Sequence, residues 1–319
     1  MQIFHRPVLL NECLDLLAPE AEHQLMVDGT LGEGGHSEAF LRRFKTLSII
    51  GVDADSKIQS VAKERLKPFG ERIHFITNWS DVFFSTYVFE QKPSIILLDL
   101  GISIFHYEAA ERGFSFLADE PLDMRLSNGL KTSASDIVNK LAEKDLADVI
   151  FKYGEEHFSR RIAHSIVEQR KVTPITSSKQ LADIIFSAVP SKYRYGRLHP
   201  ATRTFQAIRI AVNGELDRLP ALLELAFATL EDGGKLGVIS FHSLEDRIVK
   251  HYFRELSKKP IENNDGKSFA QKTNVPIVEK ETRFLGTLVT KKGVKPSETE
   301  VAENAPSRSA KLRVIRKNG

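Results

Sequence analysis

Apolar residues in this chain follow two patterns that take turns. Short continuous runs appear at Met26-Val27, at Ile49-Ile50-Gly51-Val52 and at Ile95-Ile96-Leu97-Leu98, and two further strands are predicted over residues 73–76 and 235–241. Uninterrupted runs of this length suit parallel strands buried on both faces. Between them the spacing is helical. Leu10, Cys13, Leu14 and Leu17 share one face of a helix over residues 5–18, with Pro7 near its start, where proline is tolerated. Further helices are predicted over residues 37–45 and from Asp55 through Leu66. Strand–helix alternation predicts an open, mostly parallel α/β sheet.

From about His106 the pattern changes. Residues 134–211 read mostly helical, with apolar positions three or four apart near residues 135–138, 143–153, 155–170 and 179–189. Ser177 or Ser178 would cap the last of these. No strong strand signal interrupts them, so this is a helical insertion between the fourth and fifth strands. A long helix over residues 213–230 has Leu216, Leu219, Leu222, Leu223 and Ala226 as its apolar side, and the fifth strand follows it. After that strand, Ser243 with Asp246 has the spacing of a capping box. Residues 258–273 are polar and read as a mobile segment. Residues 311–315 alternate as a last strand. The predicted division is a sheet domain built from residues 1–105 and 211–319, with residues 106–210 inserted.

The strand ends carry the candidate chemistry. The first strand enters Asp28-Gly29-Thr30-Leu31-Gly32-Glu33-Gly34-Gly35-His36. Glycines let a backbone approach a ligand and adopt positive φ. In open α/β sheets such a turn, at a strand's carboxyl end, is where ligands bind. Asp53, at the end of the second strand, stands about 20 residues past the turn, where an acid can accept hydrogen bonds from ribose hydroxyls. Acids beside the glycines repel a pyrophosphate, so the cationic S-adenosylmethionine fits better than a nicotinamide dinucleotide. Trp79, after the third strand, can stack on an adenine or fill the core. Asp99, before Gly101 at the end of the fourth strand, lies where cofactor and substrate should meet, or else caps the next turn. His242 ends the fifth strand facing the same cleft.

Composition narrows this picture. The chain has 319 residues, which suits one large domain with an insertion. No apolar run approaches bilayer length and the N-terminus lacks a signal-peptide pattern. Cys13 is the only cysteine, which rules out an internal disulfide or a cysteine-based zinc site and fits a reducing, cytoplasmic compartment. The net charge of +3 matters less than its distribution. Between residues 191 and 210 stand Lys192, Arg194, Arg197, Arg203 and Arg209 without an acid, interleaved with Tyr193, Tyr195, His199 and Phe205. Cations supply phosphate contacts and aromatics stack unpaired bases, so this stretch is expected to touch RNA.

With these segments together, the chain resembles the ribosomal small-subunit methyltransferase H family, also called MraW. The resemblance covers nearly the whole length. It is carried by His5-x-Pro7-Val8-Leu9, Asp28-Gly29-Thr30, Gly34-Gly35-His36, Leu98-Asp99-Leu100-Gly101, Ala110-Glu111-Arg112-Gly113-Phe114-Ser115-Phe116 and Pro121-Leu122-Asp123-Met124-Arg125. It continues in Tyr153-Gly154-Glu155-Glu156, His199-Pro200-Ala201-Thr202-Arg203-Thr204-Phe205-Gln206, Ile239-Ser240-Phe241-His242-Ser243-Leu244-Glu245-Asp246-Arg247 and Pro306-x-Arg308-Ser309. It implies a class I S-adenosylmethionine-dependent methyltransferase sheet, Rossmann-like, with an inserted all-helical domain. It also implies methyl transfer to the N4 amine of a cytidine in the decoding region of 16S rRNA, on the small ribosomal subunit. The family's cofactor contacts map onto Gly34, Gly35, His36, Asp53, Trp79, Asp99 and His106. Trp79 stands where the family usually has phenylalanine. Ser103-Ile104-Phe105-His106 replaces the usual Ser-Ser-Pro-Gln, which puts a glutamine contact in question at His106.

For catalysis, Asp99 would accept hydrogen bonds from the target amine or only orient the cofactor, with His242 the next candidate. Arg194, Arg197, His199 and Arg203 are the expected RNA contacts. No metal is expected, and a homodimer is left open. A nicotinamide-dependent oxidoreductase and a non-enzymatic ribosome assembly factor remain the competing readings.

Overall fold

The structure, a computed structural model, describes residues 6–108, 111–127, 129–196, 198–257 and 284–319. Among them seven strands form one sheet: β1 Leu25–Asp28, β2 Ser48–Asp53, β3 Ile73–Thr77, β4 Ile95–Asp99, β5 Lys235–Ser240, β6 Gly286–Leu288 and β7 Lys311–Lys317, in the order β3-β2-β1-β4-β5-β7-β6. The pairs among β1 to β5 are parallel, and β7 runs antiparallel to β5 and β6. From β1 the chain winds outward to β3, then crosses back to β4 on the other side of β1. That reversal makes β1/β4 the topological switch point where open sheets bind ligands. The register brings Asp28 opposite Gly51 and Leu97, so the carboxyl ends of β2, β1 and β4 share one edge.

Period-two alternation divides the strands between two cores. Met26, Ile95 and Leu97 face the helices Leu10–Leu16, Gly35–Arg43 and Ser56–Leu66. Val27, Ile96 and Leu98 face the helices Ser80–Thr86, Glu215–Thr229 and Ser243–Ser257. Burial on both faces is why these strands read as continuous apolar runs.

A third cluster, running from Phe114 to Val212, is built by the helices Ala134–Lys140, Glu143–Gly154, Ser159–Val172, Ser178–Ala188 and Ala201–Asn213. Ser177, not Ser178, caps the helix Ser178–Ala188; Ser178 is buried and donates to the Ala118 carbonyl. Glu155 sits in the left-handed region at φ 49°, so the helix starting at Glu143 ends there and the next begins only at Ser159. Gly154 lets two helices meet closely, since a Cβ there would lie 2.6 Å from the Arg203 carbonyl oxygen. The helix Ala201–Asn213 runs through residue 210 and ends at Gly214 (φ 63°), from which the helix Glu215–Thr229 starts at once.

The expected capping box needs correction. The helix Ser243–Ser257 is not capped by Ser243 with Asp246. Instead His242 Nδ1 accepts from the Glu245 N–H (3.4 Å), and the Glu245 carboxylate accepts from the N–H groups of Phe241 (2.8 Å) and His242 (3.3 Å). Asp246 is spent on Lys311 and Arg313 of β7, both at 2.8 Å, and Ser243 donates to Glu155. The sequence does not announce β6; three residues are too few to show a period. The polar stretch 258–273 lies outside the described residues.

Candidate functional site

A cleft of about 230 Å³ opens at the carboxyl edge of β1, β2 and β4. Its floor is the glycine turn, in which Gly32 and Gly34 have φ of 51° and 77°. Gly34 packs on Leu66, and Gly35 packs under Pro7, where a Cβ would lie 2.5 Å from Pro7 Cγ. These contacts seat the turn between the N-terminal segment and the helix Ser56–Leu66. Asp28 lies beneath the turn, buried, accepting from Ser37 Oγ (2.7 Å) and the Thr30 N–H (3.3 Å). Burial pushes its pKa up to about 6, against the pull of the Ser37 hydroxyl. Glu33, rather than Asp28, is the acid of the turn that lines the cleft.

Asp53 lines the cleft from the end of β2. One of its oxygens accepts from the Gly32 N–H (2.9 Å) and the other from the Asp55 N–H (2.8 Å). The carboxylate is thereby fixed, with lone pairs left for further donors. Burial raises its pKa in spite of those two bonds. Asp99 is held from behind, its N–H donating to Thr30 Oγ1. Its Oδ2 lies 3.5 Å from Nε2 of the buried His36 without hydrogen-bond alignment. Asp99 Oδ1 and both His36 nitrogens are buried and have no hydrogen-bond partner among the described residues. Leaving a buried polar group unpaired costs about 1–3 kcal/mol. Such a concentration at one cleft marks a place for a polar ligand.

Trp79 also lines the cleft, half-buried at the start of the helix Ser80–Thr86, and belongs to no core cluster. The Arg218 guanidinium lies 4.4 Å from its ring centroid and is anchored by Asp81. His106 borders the cleft with Nε2 at 3.2 Å from Asp55 Oδ2; its Nδ1 is buried and unpartnered. Arg112 binds the same Asp55 oxygen. Burial would raise the Asp55 pKa, but His106 and Arg112 hold it well below the usual carboxylate range. Sequence reasoning gives Asp55 and Arg112 no role in a site. The only local hint is a second acid two residues after Asp53, before a helix.

His242 is not among the residues lining the cleft; Phe241 takes that place. The His242 ring caps a helix, with Nε2 at 3.2 Å from Glu245 Oε1. Burial would raise Glu245, yet the His242 ring and backbone donors hold it below the usual range. Nothing in this geometry turns His242 toward Asp99.

The basic stretch divides in two. The Arg194 guanidinium donates to the carbonyls of Val189 (3.0 Å) and Ser187 (2.9 Å), closing the end of the helix Ser178–Ala188, and lies over the Phe186 ring. Arg209 is buried and forms a bidentate pair with Glu215, both bonds 2.9 Å. Arg203 and Lys192 remain exposed. The ring of His199 stacks on Phe116 (4.6 Å) and faces Phe186 (5.9 Å), and its Nδ1 accepts from the Ala201 N–H. Arg197 lies outside the described residues.

The sequence profile of the MraW methylase family matches residues 2–318. A Treponema denticola protein named ribosomal RNA small subunit methyltransferase H is 59% identical over 318 residues, covering 99% of this chain and 98% of its own. Proteins of the same name from Treponema pallidum and Borreliella afzelii are 41% and 42% identical. The first match covers 98% of this chain and 92% of the relative; the second covers 99% and 98%.

Proposed function

The chain belongs to the MraW methylase family, and from that premise we propose that it methylates the N4 amine of a cytidine in the decoding region of 16S rRNA, with S-adenosylmethionine as donor. The observation that carries the cofactor assignment is the set of buried, unpartnered atoms of His36, Asp99 and His106 around one cleft, beside the braced carboxylate of Asp53. The glycine turn, His36, Asp53, Trp79, Asp99 and His106 would hold S-adenosylmethionine, which supplies an electrophilic methyl group on a sulfonium. Asp53 would accept from the ribose hydroxyls, and Trp79 would offer a ring to the adenine.

A cytosine amine is a weak nucleophile because its lone pair is delocalised into the ring. Asp99, with Oδ1 free, can accept from its N–H bonds, localise that lone pair and take the proton released as the methyl arrives. The target base must leave any stack to reach the cleft. Exposed Arg203 and Lys192, with the His199 aromatic stack, give the helical lobe phosphate and base contacts for presenting it. A ribosomal substrate fits a cytoplasmic setting, and no helix among the described residues is long and apolar enough to cross a membrane. The test is mass spectrometry of 16S rRNA from a strain lacking the protein. Loss of one N4-methylcytidine supports the reading; an unchanged modification pattern removes it.

A further inference from the structure

We propose that Asp55 and Arg112 form the joint that registers the helical lobe over the cofactor cleft, making Arg112 a positioning residue for the methyl acceptor. The inference rests on the reading that the lobe presents RNA to the cleft.

Asp55 holds three structures at once. Its N–H donates to Asp53 Oδ1 (2.8 Å), its Oδ1 caps the helix Ser56–Leu66 at the Lys57 N–H (2.9 Å), and its Oδ2 takes Arg112 and His106. Both partners of the ion pair are largely buried, with side chains 6% and 13% exposed for Asp55 and Arg112. Arg112 uses its second Nη to donate to the Arg125 carbonyl (2.7 Å), while its own carbonyl accepts from the Met124 N–H (2.8 Å). Residues 112–126 are thus drawn into a loop clasped at its base by one guanidinium.

The far side of that loop is tied to the lobe. Asn213, at the end of the helix Ala201–Asn213, accepts from the Leu126 N–H (2.9 Å) and donates to the Met124 carbonyl (2.8 Å). Met124, fully buried in the lobe core, adopts φ 57° to make the fit. Leu126 then lines the cleft itself. The path from Asp53 to the helix that carries Arg203 therefore runs through Asp55, Arg112 and this loop. A guanidinium suits the position because its planar fork serves two acceptors at fixed angles, which an ammonium does not do.

The test uses Arg112→Lys and Asp55→Asn in the full chain, Asn being as good a helix cap as Asp. Three readouts are taken: S-adenosylmethionine affinity by calorimetry, hydrogen exchange over residues 112–126, and methyl transfer to small subunits at saturating cofactor. Arg112→Lys should bind cofactor as wild type does, and each variant should exchange faster over residues 112–126 and lose up to about 10²-fold in kcat, the scale for misplacement of reacting groups. The double variant should be no worse than the worse single one, since both break the same ion pair. Wild-type exchange in Arg112→Lys would overturn the joint. So would affinity and rate falling in step, since Arg112 would then belong to the cofactor wall. Should wild type itself transfer no methyl group, the exchange readout still tests the joint while the methyl-transfer reading falls.

Discussion

Asp53, Asp28 and Asp99 close three neighbouring strands, and each meets a different environment. Asp53 accepts two backbone N–H bonds and has room for more, whereas Asp99 has an oxygen with no hydrogen-bond partner among the described residues. Asp53→Ala should therefore weaken cofactor binding measured by calorimetry, by roughly 1.5–3 kcal/mol for each ribose hydrogen bond to the charged acceptor. Asp99→Asn should instead lower methyl transfer by about 10²–10⁴, the range for general acid–base groups, with little change in affinity. A rate restored by saturating cofactor would make Asp99 a binding residue only. Asp28 gives a prediction in pH. Its folded pKa, about 6, is raised above the unfolded carboxylate value, so it contributes stability that is fully present below about pH 4 and lost as pH rises to about 6. Asp28→Asn does not titrate. Denaturant melts should show its stability relative to wild type rising across that window and flat above it. At about 1.4 kcal/mol per pH unit, the change is about 3 kcal/mol.

At the scale of elements, the basic stretch shows how one residue type divides between folding and recognition. Arg194 closes a helix end by bonding the carbonyls of Ser187 and Val189, and Arg209 pairs with Glu215 at the start of the next helix. Arg203 makes a long hydrogen bond to the Glu155 carbonyl, 3.4 Å, and a loose ion pair with Glu156, 4.0 Å, and stays exposed. Arg194→Ala should cost about 1–2 kcal/mol of stability in denaturant melts and leave the salt dependence of small-subunit binding unchanged. Arg203→Ala should do the reverse. Its stability should hold, and its log–log salt slope should shrink by about 0.7–0.9 because one phosphate is no longer neutralised. Equal slopes in both variants would make the stretch a surface without a role in RNA binding. The His242 cap follows the same logic: a polar residue at a strand end is drawn first to the unpaired N–H groups of the helix that follows.

For the whole molecule, the sheet and the helical cluster each have a core of their own, one around β1 to β5 and one running from Phe114 to Val212. We propose that the helical part is a separable lobe. The helix Ala201–Asn213 lies in its core and ends at Gly214, so the return to the sheet belongs there and not at residue 210. Replacing residues 107–213 with a short Gly/Ser linker should leave a folded protein that binds S-adenosylmethionine and does not methylate RNA. Circular dichroism and calorimetry check the first part and a subunit assay the second. An insoluble product would make the lobe integral to the sheet domain. Cofactor binding should weaken somewhat even in a folded product, because Leu126, which lines the cleft, leaves with the lobe.

Local chemistry is readable in the residues alone. Strands buried on both faces must be continuously apolar, so β1, β2 and β4 are visible, and the glycine turn with Asp53 and Asp99 stands out because each lies beside the strand that positions it. Helix spacing likewise exposes most of the inserted helices. What stays hidden are partnerships made across the fold. Asp55 and Arg112 are 57 positions apart, and the Asp246 bonds to β7 span 65 and 67. No local period or motif encodes them, because they exist only once packing has brought distant elements together. Arg194 and His242 are hidden for a different reason, since their partners lie within seven residues. Their residue types suit recognition and catalysis, but in the folded chain the nearest unsatisfied backbone groups claim them first, since a buried donor or acceptor left unpaired costs more than a solvated side chain gains elsewhere.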